Sequence, residues 1–301
     1  MQKSSLYKAA EGALREDRSG KTKAAFKIYD SHCHIYPDKI SLHAVDAIDR
    51  FYEILPPVHF DGTVDTLKKT GKAFGISHFV VHSVATAPEQ VENINRFIAR
   101  TVEASPGMFT GLGTMHLLAE SLEKDFEQLL ALHLKGVKLH PDIQKFNADD
   151  KRAMRIYEMC EAKGLPVVVH TGDYRYDYSN PSRIVRILKA FPRLKFIGAH
   201  FGGWSVWEDA LKALPDFPNI HVDTSSSFYW LSREKAMEII RAYGSERVMF
   251  GTDYPMWPQK NEVESMKLLD LSSEERENIF WRSCSRLFAI DENEDQEISH
   301  E

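Results

Sequence analysis

Pro166-Val167-Val168-Val169-His170-Thr171 is a short β-branched run that ends abruptly on a histidine, and Leu194-Lys195-Phe196-Ile197-Gly198-Ala199-His200 repeats the design further on. Each reads as a buried strand that delivers one polar side chain at its tip. Outward from this pair, strand-like runs recur at Lys27 to Ser31, Ile76 to Ser83, Met108 to Gly113, Gly136 to Leu139, Ile220 to Asp223 and Arg247 to Gly251. Segments of helical period lie between them, at Pro88 to Ala104, Ser121 to His133, Asp149 to Lys163 and Arg233 to Tyr243. About eight parallel strands with outer helices over roughly 260 residues predict a (β/α)8 TIM barrel rather than a doubly wound open sheet. The first strand lacks a Gly-rich dinucleotide fingerprint, and the lone Gly202-Gly203 pair reads as a turn.

The barrel domain is therefore placed at residues 27–290. Glu262 to Leu269 and Ser272 to Ala289 read as C-terminal helices closing one end, with Ser272 or Ser273 as N-cap. Residues 1–26 form a helical or flexible leader without the apolar core of a secretory signal, and residues 291–301 an acidic tail expected to be disordered.

Of 301 residues, 43% are hydrophobic and 27% charged, the balance of a globular protein with a sizeable core. The net charge of −6 comes from the tail, whose six acids are Asp291, Glu292, Glu294, Asp295, Glu297 and Glu301. The body is neutral, which argues against a nucleic-acid partner, and no run of about 18 apolar residues exists to span a membrane. Three separated cysteines, Cys33, Cys160 and Cys284, point to a reduced, cytoplasmic setting, and the latter two read as small buried hydrophobes. The expected partner is a small molecule, with a homo-oligomer left open.

In a barrel of this type the active site lies at the C-terminal strand ends, and histidine collects there. Of 13 histidines, His32, His34, His82, His116, His140, His170 and His200 fall at or just past predicted strand ends. In Asp30-Ser31-His32-Cys33-His34 alternate residues share a face, so His32 and His34 point together into the mouth while Cys33 faces the helices. Asp253 ends the eighth strand in Gly251-Thr252-Asp253-Tyr254-Pro255. Such nitrogen and oxygen donors suit Zn²⁺, with Mn²⁺, Fe²⁺ or Co²⁺ as alternatives.

These residues, in this order, resemble the amidohydrolase superfamily. Gly136-Val137-Lys138-Leu139-His140-Pro141, Val169-His170-Thr171-Gly172 and Gly198-Ala199-His200-Phe201-Gly202-Gly203 are similar to its amidohydrolase-related branch, which includes aminocarboxymuconate semialdehyde decarboxylase and aromatic-acid decarboxylases. The resemblance spans roughly residues 29–290. It implies one divalent ion held by His32, His34, His170 and Asp253, with His200 as a nearby acid, base or electrophile. Lys138 stands where two-metal members carry a carboxylated lysine; it also reads as a substrate-carboxylate binder or as a core lysine paired with an acid.

His140, Arg175 and Tyr174 complete the expected substrate contacts. The rival for Arg175 is an ion pair with Asp173 or Asp177 that holds its own loop. Ser225, Ser226, Ser227, Phe228, Tyr229 and Trp230 are candidates for the rim. The leading expectation is a metal-dependent hydrolase acting on an ester, lactone or amide, in which Asp253 and His200 are catalytic. The alternative is a non-oxidative decarboxylase of a small unsaturated or aromatic acid, and a third is a scaffold whose metal is structural.

Overall fold

The computed structural model describes residues 27–53 and 60–290; the leader and the acidic tail lie outside the described residues. The eight barrel positions are β1 Ile28–His34, β2 Ile76–His82, β3 in two halves (Phe109–Gly111 and Gly113–Thr114), β4 Val137–Leu139, β5 Val167–Val169, β6 Phe196–Gly198, β7 Ile220–Asp223 and β8 Val248–Met249. All pairings are parallel and sequential. β3 is split because it changes partner at Leu112: Leu112 N donates to Val81 O at 2.9 Å, and Gly113 N to Gly136 O at 2.9 Å. At the other seam Ser31 N donates to Phe250 O at 2.9 Å, Asp253 N to His32 O at 2.9 Å and His34 N to Tyr254 O at 2.7 Å. These bonds close the cylinder between β8 and β1.

β1 runs three residues beyond its sequence-expected end at Ser31. Its pairing with β2 shifts register between Asp30 and Cys33, an irregularity that keeps both His32 and His34 on the strand. The helix Arg233–Tyr243 lies where the periodicity predicts, and Ser272 caps the helix Ser273–Glu277 through a reciprocal capping box with Glu275. The expected continuous C-terminal helix instead widens to a π turn at Asn278–Arg282 before Ser283–Phe288. There the Ile279 carbonyl accepts from Phe250 N at 2.8 Å, so the wide turn joins the helix to the end of β8.

Strand alternation divides the core into two. Val137, Leu139, Val167, Val169, Phe196 and Val248 face the helices, whereas Tyr29, Val80, Leu112, Val168, Ile197 and Met249 fill the barrel with Cys284, Leu287 and Phe288 beneath them. Two residues further along β2 and β5, the inward positions of Val80 and Val168 become His82 and His170. The interior thus changes from apolar floor to imidazole mouth within one side-chain layer. Cys33, Cys160 and Cys284 are all buried free thiols. No helix among the described residues is long and apolar enough to cross a membrane.

His221 on β7 is the register partner of Ile197 and, two residues before Asp223, lies on the inward face of the strand near the barrel floor, with Arg247, Arg286 and Lys195 nearby; burial first, then these cations, lowers its pKa from 6.5 to about 4. The unfolded chain therefore takes a proton near pH 6.5 that the folded one refuses until about pH 4, so stability falls as pH drops through that window. His221→Leu is expected to flatten the fall by up to one proton, about 1.4 kcal/mol per pH unit, in urea unfolding between pH 7 and 4. An unchanged slope would refute this assignment.

Candidate active site

Three donors converge at the β8–β1 seam. His32 Nε2 and His34 Nε2 are 3.3 Å apart, and Asp253 Oδ1 lies 3.4 Å from the first and 3.5 Å from the second. Donors held about 2.0–2.1 Å from one tetrahedral ion stand about 3.3–3.4 Å apart, so the spacing and chemistry of this triad fit a divalent metal. Each donor is held from behind. His32 Nδ1 pairs with Asp223 Oδ2 at 2.9 Å, which puts its proton on Nδ1 and leaves the Nε2 lone pair facing the triad. Ser226 Oγ donates to Asp253 Oδ2 and accepts from Trp257 Nε1 at 2.7 Å, leaving Oδ1 to face the histidines.

The remaining histidines form an ordered chain. The Ser225 carbonyl can only accept, so His200 Nδ1, 3.0 Å away, carries a proton and its Nε2 does not. His170 Nδ1, 3.0 Å from His200 Nε2, must then be the donor, leaving the His170 Nε2 lone pair to accept from Tyr52 Oη at 3.3 Å. Ile143 N donates to His140 Nδ1 at 3.3 Å, so His140 donates through Nε2 to Tyr52 Oη at 2.8 Å. The tautomers are assigned from these partners. His140 and His170 stack with ring centroids 4.0 Å apart and planes 8° from parallel. His170, expected as a ligand, makes its direct contacts with His200 and Tyr52; the His200 ring lies between it and His32, at centroid distances of 4.8 and 5.2 Å.

Burial sets the charge states. It holds the rings of His32, His34, His140 and His170 well below the usual imidazole pKa and that of His200 at about 4, so all are neutral. Asp253 is raised by burial to about 6, with Ser226 and Lys138 pulling the other way. Lys138, fully buried, places Nζ 3.0 Å from His32 Nε2. Desolvation lowers its pKa to about 8, against the pull of Asp253 and Asp223. Three residues here, His200, Ser226 and Asp253, have left-handed backbones with φ of 59°, 52° and 60°. Non-glycine residues adopt this conformation at a cost of order 1–3 kcal/mol each, and it clusters where a site demands particular side-chain directions.

A cavity of about 40 Å³ opens over these groups, walled by Tyr52, Trp204, Trp230, Met256 and Trp257 with Lys138, His140 and His200 at its polar end. Arg175 and Tyr174 do not line it. The Arg175 guanidinium grips Asp173 through two hydrogen bonds of 2.9 and 2.6 Å and donates to the Phe51 carbonyl at 2.6 Å, while Tyr174 is 69% exposed. This corrects the expected carboxylate clamp: a nearby acid already satisfies the fork. His116 stays off the site, its Nδ1 accepting from Leu118 N. Tyr52, Trp204 and Asp223 were missed. Asp223 alone carried a signal, as an acid ending a β-branched strand.

An amidohydrolase family model matches residues 29–290. The chain belongs to this family. Among solved structures, an uncharacterised TIM-barrel protein from Bordetella bronchiseptica superposes with a TM-score of 0.74 at 24% identity, covering 87% of this chain and 98% of that one. A dihydroxybenzoic acid decarboxylase from Polaromonas, with bound manganese and 2-nitroresorcinol, gives 0.68 at 15%, covering 90% and 99%. A Pseudomonas putida protein assigned as a 2-pyrone-4,6-dicarboxylic acid hydrolase gives 0.63 at 18%, covering 88% and 98%. These likenesses show the TIM-barrel fold.

Asp223→Asn keeps the size of the side chain but removes the acceptor charge that fixes the His32 tautomer. It is expected to weaken divalent-metal binding by about 10–100-fold in chelator competition, with the far-UV spectrum unchanged. Unaltered affinity would show that His32 is oriented by other groups.

Proposed function

We propose that this amidohydrolase-family protein is a metal-dependent hydrolase of a small planar carbonyl compound, an ester, lactone or amide that also carries a carboxylate. His32, His34 and Asp253 would hold one divalent ion, Zn²⁺ by the choice of donors, with His170 as a fourth ligand on giving up its present contacts with Tyr52 and His200, and the ion would supply Lewis acidity and lower the pKa of water. The carrying observation is the posture of Asp253, with Oδ1 against both triad nitrogens and Oδ2 steadied by Ser226. A carboxylate so placed is a proton acceptor next to the reacting carbonyl and afterwards a donor to the leaving group. His200, neutral and fixed by Ser225, offers polar support to the substrate oxygen. Lys138 supplies a cation for the substrate carboxylate, His140 a second polar contact, and the aromatic walls exclude water from a flat ring.

Decarboxylation of a small aromatic or unsaturated acid is the second reading. The Lys138 amine beside the triad and the aromatic walls favour it, since together they accept a planar carboxylate, and the Polaromonas neighbour is a decarboxylase. The two reactions separate in ¹⁸O-labelled water with lactone and aromatic carboxylates as substrates. Label in the product carboxylate without CO₂ release is the expected result; CO₂ release without label would replace hydrolysis by decarboxylation. Asp253→Asn, compared at equal metal occupancy, is expected to lower kcat by about 10²–10⁴-fold. Lys138→Met is expected chiefly to raise KM, by roughly tenfold or more; a change confined to kcat would place the amine in the chemistry instead.

A further inference from the structure

β2 ends in a histidine to which neither the fold nor the reading above gives a role. His82 is fully buried, and among the described residues neither of its ring nitrogens has a hydrogen-bond partner. A buried polar atom without a partner costs about 1–3 kcal/mol, and an imidazole carries two. The location of this one is specific. His82 is the register partner of His34 across the β1–β2 pair, and strand alternation turns it inward above Val80. Its ring stands perpendicular to that of His34, with centroids 4.4 Å apart, and near-perpendicular to that of His32 at 4.8 Å.

We propose that His82 is a donor to the same ion, a ligand from β2 added to those implied for β1, β5 and β8. The inference rests on the metal reading of the site. One nitrogen from each of His32, His34 and His82 lies within 4.8 Å of the other two. Donors around one tetrahedral ion stand about 3.3–3.4 Å apart, so the third nitrogen has to close by up to roughly 1.4 Å, a shift that rotation about the two side-chain torsions of His82 supplies. The alternative partner for a ring N–H is the π-face of a neighbouring imidazole, a weak bond that serves one nitrogen only. A third imidazole beside His32 and His34 makes the centre rich in nitrogen. Imidazole suits Zn²⁺, Fe²⁺ and Co²⁺, whereas carboxylates and water suit Mn²⁺, so His82 biases this chain toward Zn²⁺ over Mn²⁺.

The test measures Zn²⁺ and Mn²⁺ dissociation constants by chelator competition on the full chain, with the visible spectrum of the Co²⁺ form, for wild type, His82→Leu and His82→Cys. Thermal unfolding of the apo proteins reports folding; His82→Leu, which removes two unpartnered atoms, is expected to unfold no lower than wild type. His82→Leu is expected to weaken Zn²⁺ about 100-fold and Mn²⁺ about 10-fold, narrowing the preference, and to shift the Co²⁺ bands. His82→Cys is expected to recover Zn²⁺ affinity and add a thiolate-to-cobalt charge-transfer band. If folded His82→Leu keeps both constants and the Co²⁺ spectrum of wild type, His82 is no ligand while the metal reading stands. If wild type itself binds no divalent ion, both fall together.

Discussion

The hydrogen bonds that join the last strand to the first are the constraint on which the site depends. Asp253 N donates to His32 O, and the Asp30 carboxylate accepts from both Thr252 N and Thr252 Oγ1, at 2.9 and 2.6 Å. These groups lie more than 200 residues apart in sequence, so no local preference brings them together. Only closure of the cylinder does. Burial raises Asp30 to about 6 despite its donors, so the seam includes an acid kept in place by hydrogen bonds that favour its charged form. The seam that completes the barrel is also what sets Asp253 Oδ1 against two imidazoles, which makes fold and site a single event.

Around that triad the polar groups are arranged with direction. From His140 through Tyr52, His170 and His200 to the Ser225 carbonyl, each donor meets an acceptor. The carbonyl at one end and the Ile143 amide at the other determine every tautomer between them. Neutral rings follow from burial, and neutral rings are what metal coordination needs. The partners behind the rings therefore set where each lone pair points, on His32 Nε2 toward the triad by way of Asp223 and on His170 Nε2 toward Tyr52 by way of His200.

Much of the barrel was legible because a parallel strand buried on both faces reads as an unbroken apolar run, as at Val167 to Val169. Its ends were less so. β1 extends to His34 through a register shift that no residue pattern announces, and β3 breaks at Leu112 because pairing changes there. The histidines were legible through alternation and position. Tyr52 was not, because it ends an ordinary amphipathic helix, Ser41–Tyr52, and reaches the site only through how that helix packs. For Arg175 the sequence left two partners open, a substrate carboxylate and the neighbouring Asp173 or Asp177, and geometry that sequence does not carry gave its guanidinium to Asp173.

That arginine nevertheless acts on the site at one remove. Its guanidinium lies 4.9 Å over the Phe51 ring and 5.0 Å over that of Tyr52, while it also holds the Phe51 carbonyl and Asp173. The end of the helix Ser41–Tyr52 is thereby fastened to the loop that follows β5, the strand bearing His170. Tyr52 Oη is set between His140 and His170 as a consequence. A planar cation that stacks and hydrogen-bonds at once does this as a flexible ammonium would not. The side chain expected at either a substrate carboxylate or its own loop thus positions a tyrosine of the cavity wall, so that the wall and the histidine chain share one support.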